Sequence, residues 1–101
     1  MKFNIKRLLK TTQNWNGLKN LDLAKEVTTK KNYVWNDFKT WKKGEGFTKN
    51  NKKSLHVVAI DYGIKKNILR YFSNFNCKVT IASCETSAND VLKLKPNGIF
   101  L

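Results

Sequence analysis

"HVVAIDYGIKKNILRYF", residues 56–72, decides the fold. Together with Leu55 it opens on a nearly continuous apolar run, residues 55–60, rich in β-branched side chains. A strand buried on both faces requires such a run. Asp61-Tyr62-Gly63 then breaks it as a turn. From Ile64 the apolar period changes: Ile64, Ile68, Leu69, Phe72 and Phe75 fall on one face of a helix. Lys65 and Lys66 stand in the first turn of that helix.

The downstream residues extend the pattern. Asn74-Phe75-Asn76 ends the helix, and "KVTIA", residues 78–82, is a second strand. Residues 86–90 open a second helix, with Ser87 and Asp90 spaced as a capping box. Val91, Leu92 and Leu94 give it an apolar side, and Pro96, Asn97 and Gly98 stop it. "GIFL", residues 98–101, begins a third apolar run. The order β-α-β-α-β with short connections predicts an α/β fold: a parallel sheet with right-handed crossovers, Rossmann-like or flavodoxin-like. Leu101 falls inside the third run, and three such strands leave open edges and a poorly covered face. The expectation is an incomplete sheet, a fragment of a longer protein.

Such a sheet takes ligands beyond the carboxyl ends of its strands, where the strand order reverses. The Asp61–Gly63 turn sits at one such end. The exposed N–H groups and dipole of the following helix favour an anion there, and a lysine adds a mobile charge. The geometry suits a carboxylate or a phosphate. Gly63 stands alone where a dinucleotide fingerprint needs three glycines, and there is no P-loop. Asp61 reads as a turn and cap residue. Cys84 lies between a strand and a helix but lacks flanking glycines and a nearby His. His56 starts its strand, at the end opposite the expected site. Cys77 and Cys84 lack the spacing and partners of a zinc set and read as reduced thiols. No metal site and no catalytic residue is expected.

The charge is uneven. Overall it is +13, with +10 in residues 1–54 and +3 in residues 55–101. Of the 20 basic residues 18 are Lys, and Asn is abundant. A/T-rich codons produce that composition without a selected partner, whereas phosphate and guanine recognition favours Arg. The alternative reading is a small basic nucleic-acid-binding protein, with Trp15, Trp35 and Trp41 as stacking residues. No apolar run is long enough to span a membrane, and the first ten residues lack the apolar core and cleavage site of a secretory signal. "KGEGFTKNNKKS", residues 43–54, has a linker's composition. Before it, "IKRLLKTT" reads as the end of a helix, "LDLAKEVTT" (21–29) as helical, and "NYVWNDF" (32–38) as extended.

"GLKNLDLAKEVTT" (17–29) followed by residues 56–101 closely resembles the small subunit of glutamine-hydrolysing carbamoyl-phosphate synthase. That family shares a Leu-Ala-Lys-Glu-Val-Thr-like run and a strand ending in Asp-Phe/Tyr-Gly. A Lys-x-Asn-Ile helix, a Thr-Ser-Ala-x-Asp-Val helix and Pro-x-Gly-Ile-x-Leu then follow in the same order. The resemblance implies three segments. Residues 1–42 would be the tail of the small subunit's N-terminal domain, 43–54 a linker, and 55–101 the truncated start of a class I glutamine amidotransferase domain, flavodoxin-like in fold. It implies a cytoplasmic ligase complex that makes carbamoyl phosphate for arginine and pyrimidine biosynthesis. The large subunit is the implied partner and the user of ATP; no cofactor is implied for this chain. The family's nucleophilic Cys, its His and Glu partners and its Ser-Asn-Gly-Pro-Gly loop match no residues here, so the segment alone would be inactive. A stub that docks a large subunit without chemistry is a further possibility. Lys65 matches the lysine after the family's turn and is the implied glutamine-site residue. Lys66 points about 100° away round the helix and reads as surface. Asn67 is assigned a structural or subunit-facing role.

Overall fold

The computed structural model describes residues 2–101; Met1, the first residue of the expected 1–42 segment, lies outside the described residues. In chain order the elements are α1 (Ile5–Gln13), α2 (Leu23–Val27), β1 (Tyr33–Val34), β2 (Leu55–Asp61), α3 (Lys66–Asn74), β3 (Cys77–Ser83), α4 (Ala88–Lys93) and β4 (Gly98–Phe100). The strands form one open sheet in the order β1-β3-β2-β4. β2 pairs parallel with β3, from Leu55 opposite Cys77 to Asp61 opposite Ser83. On its other side β2 pairs parallel with β4, from Val57 opposite Gly98 to Ala59 opposite Phe100. The expected parallel β-α-β-α-β unit is therefore present. The chain leaves β2 for β3 on one side and returns to β4 on the other, so the strand order reverses beside β2.

β2 is buried on both faces because successive side chains point to opposite sides of a sheet. Val57 and Ala59 face one core, with Cys77, Val79 and Ile81 of β3 and Leu69 of α3. Val58 and Ile60 face a second core, with Ala82 of β3 and Val91 of α4. The two helices thus cover opposite faces, as in doubly wound sheets. Coverage is unequal. Partly buried Ile64, Phe72 and Phe100 extend the first core. On the second face only Val91 of α4 is buried, and Leu92 is 62% exposed. The apolar side expected of Val91, Leu92 and Leu94 contracts to one anchor, because a six-residue helix presents less than two turns to the sheet.

Local signals account for the helix ends. Ser87 Oγ accepts from the Asp90 N–H at 3.2 Å and donates to Asp90 Oδ2 at 2.8 Å, so the capping pair forms. α3 ends at Asn74, where Asn76 takes the left-handed conformation (φ 61°) that Asn tolerates better than most residues. Its start is a correction. The helix begins at Lys66, with Lys65 as an extended N-cap (φ −73°, ψ 133°). Ile64 therefore precedes the helix, and Phe75 is its C-cap and 72% exposed. The cause is Asp61, whose Oδ1 accepts from the N–H groups of Gly63 (2.9 Å) and Ile64 (3.0 Å). That turn must close before helical dihedrals can start.

The segment before β2 is tied into the same sheet. β1 pairs antiparallel with β3, Tyr33 opposite Ile81 and Val34 opposite Thr80, which makes the sheet mixed rather than wholly parallel. Trp35 follows β1 into the first core and is 8% exposed. Residues 38–49, which include much of the linker-like stretch, fold as a small hairpin with bridges Phe38–Lys49 and Lys42–Gly46. Asn74 Oδ1 accepts from the Thr40 N–H at 3.1 Å, and Arg70 lies over the Phe47 ring, so the hairpin is held against α3. α1 carries its own N-cap, Asn4 Oδ1 accepting from the Arg7 N–H at 3.1 Å, so "IKRLLKTT" begins a helix rather than ending one. It buries none of its residues.

Candidate functional site

The carboxyl ends of β2 and β4 open into a cleft of about 430 Å³. Ile60, Ile64, Ile68 and Phe100 supply apolar walls, Tyr62 and Gly63 the floor loop, and Lys65 the single charged side chain. The loop after β2 lies beside the end of β4, at the reversal of strand order. Lys65 is solvent-exposed at the N-cap of α3, and no side chain caps that helix. Its first N–H groups and its dipole therefore add to the lysine's charge in favouring an anion. Lys66 lines a different recess, with Trp35, Phe38, Phe47 and Arg70. The two neighbouring lysines are thus separated, Lys65 as the extended N-cap and Lys66 as the first residue of the helix. Asn67 is exposed.

Asp61 holds the loop. Besides Gly63 and Ile64 it binds a third N–H, Oδ2 accepting from Thr29 at 2.8 Å across 32 residues of sequence. Burial by itself would raise the Asp61 pKa, but the three N–H groups outweigh it and hold the carboxyl below its ordinary value. Asp61 is therefore an ionised clamp. Its buried anion, after the desolvation of the phenol itself, also pushes the Tyr33 pKa up.

Three further residues in this region act at a distance that sequence spacing did not reveal. Thr28 Oγ1 accepts from the Cys84 N–H at 2.9 Å, and Asn32 Oδ1 accepts from the Ser83 N–H at 2.9 Å. With the Thr29–Asp61 bond, residues 28–32 fasten across the carboxyl ends of β2 and β3. Val27 completes the fit: a Cβ added at Gly63, where φ is 100°, would lie 3.1 Å from its Cγ2. Polar residues directly after an apolar helical run were the only signal.

The remaining candidates lie outside the lining of this cleft. His56 Nε2 lies 2.8 Å from Thr80 Oγ1 near the amino end of β2. Cys84 follows the other end of the sheet, six positions along β3 from the partner of His56, or about 20 Å. They do not form a nucleophile–base pair. Cys77 is buried in the first core, where burial pushes its thiol pKa up and keeps it inert. Trp35 is part of that core, while Trp15 and Trp41 are 64% and 59% exposed. Among the described residues no cluster of potential ligands could hold a metal ion, and no helix is long and apolar enough to cross a membrane.

No family model matches the chain. Curated relatives do. The chain is 48% identical over 99 residues to a carbamoyl phosphate synthase small chain of Bartonella bacilliformis. It is 46% identical over 101 residues to that of Rhizobium meliloti, and 43% identical over 100 residues to that of Agrobacterium fabrum. Each match covers 98% of this chain and 25% of the relative, so the chain spans about a quarter of the length of the curated relatives it matches. The resemblance read from the motifs is borne out by these relatives.

Proposed function

We propose that this chain, similar over 98% of its length to carbamoyl phosphate synthase small chains, is one segment of a glutaminase subunit. In this reading the complete subunit releases ammonia from glutamine and passes it to a large, ATP-using partner in the cytoplasm. The product is carbamoyl phosphate for arginine and pyrimidine synthesis. The observation that supports the reading is the coincidence of the cleft with the motif. Lys65, at the position the family pattern marks, lines a cleft at the reversal of strand order.

Each group then has a chemical task. Lys65 and the free N–H groups at the start of α3 attract the α-carboxylate of glutamine. The apolar walls exclude water around its methylene chain. Asp61 fixes the loop without touching substrate, since its oxygens are occupied by Thr29, Gly63 and Ile64. The segment supplies one wall only. Attack on the amide needs a thiolate with its paired base, and neither the buried Cys77 nor Cys84, remote from His56, provides one. By itself the segment is expected to be inactive.

Lys65→Ala tests the site in a complete small subunit bearing these residues and assembled with its large subunit. The glutamine KM is expected to rise about tenfold, the loss of one charge-assisted contact. Synthesis from ammonia bypasses the glutamine site and should change little. Unchanged glutamine kinetics would reduce Lys65 to a surface lysine.

A further inference from the structure

We propose that the recess between α3 and residues 35–47 binds a small organic anion, a carboxylate or phosphate ester on a planar apolar body. It is lined by Trp35, Asn36, Phe38, Phe47, Lys66 and Arg70 and encloses about 250 Å³. The site is separate from the Lys65 cleft and does not depend on the glutamine reading.

Two cations share this recess. Lys66 and Arg70 stand four residues apart on α3, where like charges repel. Among the described residues neither forms an ion pair; the salt bridges there belong to Lys25, Lys53 and Lys93. No acidic residue lines the recess. The Arg70 guanidinium lies 4.4 Å over the Phe47 ring, which fixes its plane. Its Nε is shut off from solvent and has no acceptor among the described residues. An anion in the recess would offset the two unpaired charges, and the terminal N–H groups of a guanidinium can donate to it in a charge-assisted pair.

The rest of the lining defines the ligand's body. Asn36 Oδ1 accepts from the Phe38 N–H, which turns its amide nitrogen away as a further donor. Trp35 Nε1 is already committed to the Phe38 carbonyl at 3.2 Å, so the Trp35 ring adds apolar surface and no spare donor. Phe38 and Phe47 add apolar rings. Cationic donors set among aromatic walls recognise an anionic head on a flat apolar group. The recess is somewhat smaller than the roughly 300–1,000 Å³ of drug-sized pockets, which limits the body to about one ring.

The test is a two-dimensional NMR titration of the nitrogen-labelled chain with phenyl phosphate, inorganic phosphate and benzyl alcohol. Phenyl phosphate should shift the Arg70 Nε–H and Trp35 Nε1–H signals saturably, more tightly than inorganic phosphate, with benzyl alcohol inert. Arg70→Gln should weaken binding about tenfold and Lys66→Gln about threefold. Lys66 is exposed, so its variant keeps the fold. Lys78→Gln removes one exposed charge on β3 and should leave the affinity unchanged. The proposal is overturned if neither side-chain signal moves by about 10 mM phenyl phosphate, a concentration that would reveal even millimolar binding. Equal weakening by Lys66→Gln and Lys78→Gln would also overturn it, since binding would then follow net charge alone.

Discussion

Asp61→Ala should destabilise the chain by about 3 kcal/mol, because it strands three backbone N–H groups at one turn. The groups belong to Thr29, Gly63 and Ile64, and only the last two are neighbours of Asp61 in sequence. The substitution therefore loosens the loop beside the Lys65 cleft and also releases residues 28–32 from the sheet ends. Asp61→Asn separates the two effects. Its carbonyl oxygen can still accept from Gly63 and Ile64, but its amide nitrogen then meets the Thr29 N–H, donor against donor. It should cost about 2 kcal/mol and act mainly on the long-range bond. The pH dependence has a definite sign. The folded-state pKa lies below the ordinary value of 3.8, so the carboxylate's contribution is fully present above that value. It is lost as pH falls through the lower folded value. Denaturant midpoints measured from neutral to acid pH should fall below about pH 4 in the parent and fall less steeply in Asp61→Asn. Parallel curves for the two proteins would mean that Asp61 is not the group that clamps the turn.

Leu69→Ala carries the second large effect, about 3 kcal/mol of lost stability by transfer and cavity terms together. Leu69 is fully buried between α3 and the β2–β3 face, among Trp35, Val57, Ala59 and Ile81. Leu92→Ala is the matched comparison on the other helix. Leu92 is 62% exposed, so its removal should change stability by no more than about 0.5 kcal/mol. Equal effects in urea titrations would contradict the unequal covering of the two sheet faces.

These two leucines mark the limit of what the sequence discloses. Apolar spacing places both on a helix face, and only the packed structure says which face is covered. Residues 55–61 were legible because a run of β-branched residues closed by Asp-Tyr-Gly allows few alternatives. β4 was legible as a third apolar run, whereas its place beside β2 is a finding of the structure. Lys65 was legible as a residue near a helix start, although its role as N-cap depends on a turn that Asp61 closes first. The parts that stayed hidden are long-range. β1 has two residues, too few for an alternation signal, and pairs with a strand more than forty residues later. The hairpin at 38–49 overlaps the Lys- and Gly-rich start of the linker-like stretch and is held by Asn74 and Arg70 from another element. Thr28, Thr29 and Asn32 are ordinary polar residues in sequence. Their work becomes visible only when the ends of β2 and β3 lie beside them.

The proposed membership of these residues in a glutamine-using subunit can be measured directly. The direct measurement places them in the matching quarter of the Bartonella bacilliformis small chain, assembled with that organism's large chain. Carbamoyl phosphate synthesis is then compared with glutamine and with ammonia as nitrogen donor. The chimera should use glutamine within about tenfold of the parent enzyme, a loss of less than about 1.4 kcal/mol in transition-state stabilisation. A chimera that folds, assembles and works from ammonia at the parent rate, yet makes nothing from glutamine, would contradict that membership.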